Sequence, residues 1–155
     1  MNPSPLQLER HFFTKVLIEA SSNGKLGTAN QVSCEVEIGQ ALEEAKRFQV
    51  ILRLKLSSTP DGEACYTGEI HVVGLFQVLE GWPAEKALSL VESNGPALLY
   101  GAARELLCNL TSRGPWPQVV LGSVSFIPAK TEKPVVAAAN IQSAIARPKR
   151  RFKLD

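Results

Sequence analysis

Phe48-Gln49-Val50-Ile51-Leu52-Arg53-Leu54-Lys55-Leu56 decides the fold class of this chain. Phe48, Val50, Leu52, Leu54 and Leu56 share one parity, while Gln49, Arg53 and Lys55 share the other. A period of two sets one row against a core and the other in water, as in a half-buried β-strand. Directly after it, Ser58-Thr59-Pro60-Asp61-Gly62 joins a proline that presets φ to a glycine that accepts positive φ, the chemistry of a tight reversal. The return run, Ala64 to Val78, carries Tyr66, Ile70, Val72 and Phe76 on one side and Thr67, Glu69, His71 and Gln77 on the other. The two runs therefore make an antiparallel hairpin, in which Gly68 and Gly74 mark bulges or close contacts.

Upstream, Val32, Cys34, Val36 and Ile38 alternate with Ser33, Glu35 and Glu37. Phe12 to Glu19 is rich in β-branched and aromatic residues and ends in the turn cluster Ser21-Ser22-Asn23-Gly24. These add two strands, so the first half reads as a four-stranded antiparallel sheet without a helical crossover. Downstream the apolar spacing becomes helical. Pro83 precedes Ala84, Ala87, Leu88 and Val91, a short helix that Asn94-Gly95 stops. Pro96 then opens a longer one, whose Leu99, Ala102, Ala103, Leu106, Leu107 and Leu110 form a stripe ending at Arg113-Gly114-Pro115. Strands followed by helices on one sheet face give an α+β class. Trp116 to Ile127 reads as extended, and Val135 to Ala146 as a weak Ala-rich helix.

With 155 residues, 45% of them hydrophobic and 21% charged, the chain has the length and composition of one folded domain. The expected organisation is a flexible N-terminus over residues 1–10, a domain over 11–127 and a C-terminal segment over 128–155. No apolar run reaches the roughly 20 residues of a membrane-spanning helix, and Met1 to Arg10 has no signal-peptide core. A cytoplasmic protein is expected. Cys34, Cys65 and Cys108 are odd in number and widely spaced, which suits reduced thiols and implies no metal or cofactor. His11 and His71 have no nucleophile motif beside them, and Glu69 with His71 reads more simply as a solvated pair than as acid–base machinery, so no enzyme is expected. The net charge of +2 hides a local excess at Arg147, Lys149, Arg150, Arg151 and Lys153. That tail reads as a solubilising end, with an anion or nucleic-acid binding module as the alternative.

Gly95-Pro96-Ala97-Leu98-Leu99-Tyr100-Gly101-Ala102-Ala103-Arg104-Glu105, followed by Ser112-Arg113-Gly114-Pro115-Trp116-Pro117-Gln118, resembles the SecB family of protein-export chaperones. In that family a proline opens the long helix, an Ala-Arg-Glu triplet lies within it, and Ser-Arg-Gly-x-aromatic-Pro-Gln closes it. Gly74-Leu75-Phe76 is similar to the family's Gly-Ile-Phe after the last strand, and Glu69-Ile70 to its Glu-Val. The resemblance spans Phe12 to Phe126. It implies a homotetramer, a dimer of dimers, that holds unfolded or export-bound polypeptides without ATP and delivers them to the SecA motor. It also implies SecA contact through sheet carboxylates, here Glu19 and Glu69. The sequence departs from the family at Thr14-Lys15-Val16, where an acid is common, in the linker Ala20 to Gln31, which has no aromatic residue, and in its basic end. Those departures leave room for a SecB-like chaperone dedicated to a toxin–antitoxin pair.

An exposed row of leucines would invite aggregation, so the stripe reads as core or subunit interface and not as client surface, and Leu99, Ala103, Leu106, Leu107 and Leu110 are assigned to subunit assembly. Client contact is expected at Tyr66, Leu75, Phe76, Tyr100 and Trp116, which are large groups at element ends. Core filling is the competing reading for each of these five.

Overall fold

The computed structural model describes residues 3–127 and 150–153. All four expected strands are present: β1 (Leu6–Ala20), β2 (Gln31–Gln40), β3 (Arg47–Ser57) and β4 (Tyr66–Val78). A 3-10 turn at Ala84–Lys86 leads into one helix, α1 (Ala87–Thr111), and a fifth strand, β5, spans Arg150–Lys153. The sheet order is β1-β4-β3-β2-β5, with every neighbouring pair antiparallel. Strands β2, β3 and β4 follow one another as hairpins, and β1 lies on the outer side of β4. The connection from β1 to β2 therefore crosses the sheet from one side to the other, the return of a Greek key.

The β3 period reads out directly in burial, because Phe48, Val50, Leu52, Leu54 and Leu56 are all buried. They meet Ile70, Val72 and Phe76 of β4 in one core, with Cys34 and Val36 of β2 beside them. Strand β1 differs from its expected extent. It begins at Leu6, which is buried and pairs with Val78, so Leu6–Arg10 belong to the sheet and not to a loose terminus. Register shifts between Leu8 and Arg10 and between Phe13 and Lys15 swap the parity twice, which is why no clean alternation is visible there. At the other end of the chain, Arg150–Lys153 pair with β2, so part of the tail expected to be a loose basic end is a strand. The expected helix over 135–146, Arg147 and Lys149 lie outside the described residues.

The helices require a correction. Instead of a short helix stopped at Asn94-Gly95 and a second one opened by Pro96, α1 runs unbroken with Pro96 inside it. A proline there removes one backbone hydrogen bond and costs about 3 kcal/mol locally. Tertiary packing outweighs that cost. Ala87, Val91, Gly95, Leu99, Ala103, Leu107 and Thr111, each four residues after the last, are all buried along the helix. Burying a Val or Leu side chain contributes about 1.5–3 kcal/mol, so Val91 and Leu99 on either side of the proline hold both halves to one line. A four-residue repeat drifts by about 40° per step around the helix axis, and α1 accordingly crosses β4, β3 and β1. Gly74 makes the crossing close: a methyl group on it would lie 2.7 Å from Leu99 Cδ2.

Leu99, Ala103 and Leu107, assigned from sequence to subunit assembly, are thus core residues of this chain. The adjacent row Leu98, Ala102, Leu106 and Leu110 is the outer one, with Leu98 and Leu110 exposed. Leu99→Ala should cost about 3 kcal/mol in urea unfolding, whereas Leu98→Ala should cost under about 1 kcal/mol; equal losses would contradict this orientation. Cys34 is fully buried, and burial pushes its thiol up to about 12. Since the thiolate is the reactive form, an alkylating reagent at pH 8 should modify Cys65 and Cys108 in the native chain and Cys34 only after denaturation. Rapid native labelling of Cys34 would be inconsistent with the core described here.

Candidate functional site

The crossover between β1 and β2 and the extended chain after α1 face each other across a cavity of about 420 Å3. Leu26 and Val120 rim it and are 70% and 67% exposed, more than any other large apolar side chain among the described residues apart from Ile127. Val32 and Val119 add half-buried apolar wall, Leu121 is buried at its side, and Asn30 and Gln118 supply amide groups. Exposed side chains of this kind on both lips make a groove suited to apolar segments in extended form.

A buried phenol holds the two lips in place. Tyr66, at the start of β4, lies with its hydroxyl 3.1 Å from the Thr111 carbonyl and 3.0 Å from the Trp116 carbonyl, to either of which it can donate. The same oxygen accepts from the Trp116 backbone N–H at 3.1 Å. The Tyr66 carbonyl accepts from Asn30 Nδ2 at 2.6 Å, which ties in the crossover. Trp116 Nε1 reaches over and donates to the Ser21 carbonyl at 2.9 Å. At the helix end, Thr111 Oγ1 donates to the Leu107 carbonyl and accepts from the Val119 N–H at 2.9 Å. Further along, Tyr100 donates to the Gly122 carbonyl at 2.8 Å, and its ring lies edge-on to Phe126. Burial raises the Tyr100 phenol above its ordinary value, so it stays a donor at neutral pH. Gly114 completes the frame, because a Cβ there would collide with the Tyr66 hydroxyl.

Of the five residues expected to touch clients, Tyr66, Phe76 and Tyr100 are buried. Two of them build the groove without lining it, and Phe76 packs beneath α1 in the core. Trp116 is half-buried and acts as a bracket between the lips, and Leu75 is half-buried on the opposite sheet face. The lining residues Leu26, Val119 and Val120 carry no signal in the sequence, because isolated aliphatic residues outside regular elements have no periodicity, and Val32 is marked there only as part of the β2 alternation.

The face of the sheet away from α1 carries the expected carboxylates. Glu69 forms an ion pair with Lys15 and a 3.1 Å hydrogen bond with His71 Nε2. Its carboxyl is held below the usual range by the Lys15 hydrogen bond first and the His71 contact second. Glu37 accepts from Arg53 at 2.7 Å. Glu19 is exposed opposite Thr67. On this face lie Phe12, Leu17, Ile51, Val73 and Leu75 as well, with Phe12 and Leu17 exposed on β1. The β1 edge away from β4 is unpaired among the described residues.

An antiparallel sheet of this order, crossed on one face by a single long helix, is an α+β architecture. Residues 3–129 match the family described as "Preprotein translocase subunit SecB", and the chain belongs to that family. It is 24% identical over 123 residues to the protein-export protein SecB of Psychrobacter arcticus, covering 78% of this chain and 82% of that one. It is 29% identical over 134 residues to the SecB of Haemophilus ducreyi, covering 80% and 74% respectively. Among solved structures, a Mycobacterium tuberculosis SecB-like chaperone, in complex with a ChAD peptide from an antitoxin, shares the fold. Its TM-score is 0.61 at 19% identity, over 78% of this chain and 91% of that one.

Tyr66→Phe removes a hydroxyl that serves both walls of the groove and leaves the Trp116 N–H without its partner. It should lower unfolding free energy by about 1–3 kcal/mol and speed amide exchange at Trp116 and Val119. A variant as stable as the parent, with unchanged exchange there, would show that the phenol does not hold the groove.

Proposed function

We propose that this chain is a holdase, which captures non-native or export-bound polypeptides through the groove between the crossover and the segment after α1 and does so without ATP. The observation that carries this reading is the pair of exposed aliphatic lips, Leu26 and Val120, facing each other over a cavity that fixed hydrogen bonds keep open. An unfolded segment offers apolar side chains at every second position and unpaired backbone groups, and such a groove can satisfy both. Membership of a family of protein-export chaperones supports the same reading.

The working form is a homotetramer. Two surfaces support assembly: the β1 edge with Phe12, Val16 and Leu17 exposed, and the outer row of α1 with Leu98 and Leu110. An apolar strand edge left open is an invitation to pair with another chain, and a second copy satisfies it without aggregation. Of the interface set expected from sequence, Leu106 and Leu110 fit this outer row. The protein works in the cytoplasm; no helix among the described residues is long and apolar enough to cross a membrane.

Delivery to SecA through the open sheet face would rest on Glu19, since Lys15 and His71 already occupy Glu69. That same charge pairing favours a second reading, a SecB-like chaperone dedicated to a toxin–antitoxin pair, which needs no acidic docking face. The antitoxin peptide bound by the Mycobacterium tuberculosis chaperone is the kind of client that reading requires.

At stoichiometric amounts the purified chain should sediment as a multimer and suppress light scattering by an unfolding client. The double variant Leu26→Ser, Val120→Ser should keep its melting temperature, and it should bind a carboxymethylated unfolded protein about tenfold more weakly. A monomer that protects nothing, or a variant that protects as well as the parent, would overturn the proposal.

A further inference from the structure

The edge of β2 away from β3 is only partly covered among the described residues, and it adjoins the groove, since Val32 lines the groove and Ser33 is the next residue on β2. Part of that edge carries β5. Arg150–Lys153 run antiparallel to it in the register Val36 with Arg150, Glu35 with Arg151, Cys34 with Phe152 and Ser33 with Lys153. The pairing is short, covering Ser33–Val36 of a strand that extends from Gln31 to Gln40. Charge complements it at one position, where Glu35 of β2 stands opposite Arg151 in the strand Arg150-Arg151-Phe152-Lys153. A residue directly opposite another across an antiparallel pair is its closest cross-strand neighbour, so Glu35 with Arg151 is a matched pair by position.

Resting on the holdase reading, we infer that the β2 edge is a strand-addition site for extended segments that combine basic and aromatic residues. Arg150–Lys153 is its intramolecular occupant, a built-in competitor that clients displace. Main-chain hydrogen bonding supplies affinity in such additions and alternate side chains supply selectivity. A tethered ligand acts at high effective concentration, so even a four-residue strand can hold the edge in the absence of client. Its shortness leaves it displaceable by a longer segment that enters from the groove and continues along β2. This account gives the basic tail a partner within the chain, with Arg151 set opposite Glu35.

The test uses the full-length chain and a fluorescent synthetic peptide spanning Pro148–Asp155. Arg151→Glu in the chain weakens the internal occupant and should raise affinity for this peptide by about three- to fivefold. Glu35→Arg weakens peptide and internal occupant alike, so affinity for this peptide should change little. A peptide carrying Arg151→Glu, by contrast, should be rescued, binding the Glu35→Arg chain about three- to fivefold more tightly than the unaltered peptide does. The rescue identifies a cross-strand pair, which general misfolding would not reproduce. Peptide affinity unchanged by Arg151→Glu, or absence of rescue, would overturn the inference. If the Leu26→Ser, Val120→Ser chain loses unfolded client while the peptide arms show no competition, the holdase reading stands and the tail inference falls. If no chain binds unfolded client yet the peptide arms behave as expected, the strand-addition site stands and the holdase reading falls.

Discussion

A single buried hydroxyl, that of Tyr66, governs how the sheet, the helix end and the two irregular stretches fit together. A phenol has one hydrogen to give and two lone pairs to offer, and here backbone groups of Thr111 and Trp116 surround it. The chain after α1 contains Pro115 and Pro117, which have no N–H and resist both helix and sheet. It needs fixing by other means. Tyr66, Thr111 and Tyr100 supply them, each bonding backbone of that segment from a buried position. The consequence is a groove whose frame is rigid and polar while its lips are exposed and apolar. Rigid walls lower the ordering cost of binding, and apolar lips supply contact without demanding one sequence.

The helix illustrates the same balance between local and tertiary terms. Gly95-Pro96 is a local stop signal, and an isolated peptide would break there. In the folded chain the buried four-residue row continues straight through it. Gly95 also lets α1 approach Val50 closely, since a methyl carbon added at Gly95 would lie only 3.1 Å from Val50 Cγ2. Both residues of the dipeptide are buried, so a motif that looks like a terminus is a packing device. In the adjacent row Leu98 and Leu110 are exposed, while Leu106 packs partly against the core.

Period-two alternation made β2, β3 and β4 legible, because each is half-buried and free of large irregularities. Strand β1 was legible only over Phe12 to Glu19, from residue type instead of alternation, since the shifts at Leu8/Arg10 and Phe13/Lys15 break its parity and Leu6–His11 are mostly polar. The strand order could not be read, because pairing of β1 with β4 is non-local and leaves no mark in the spacing. Family resemblance gave the correct fold and family from the helix motif, yet the site residues chosen from size and position went mostly to the core. Aromatic side chains with a polar tip suit buried hubs as well as exposed contacts, and only the surrounding backbone distinguishes the two. Leu26 and Val120 are ordinary residues in loops, significant only because folding sets them face to face.

Hydrogen–deuterium exchange of the chain, alone and saturated with a carboxymethylated unfolded protein, addresses the central claim most directly. Client should slow exchange in residues 26–32 and 118–122 together, with the amides of β3 unchanged. Protection confined to the open sheet face around Glu69 and His71, or none at either lip, would contradict the groove as the place where polypeptides are held.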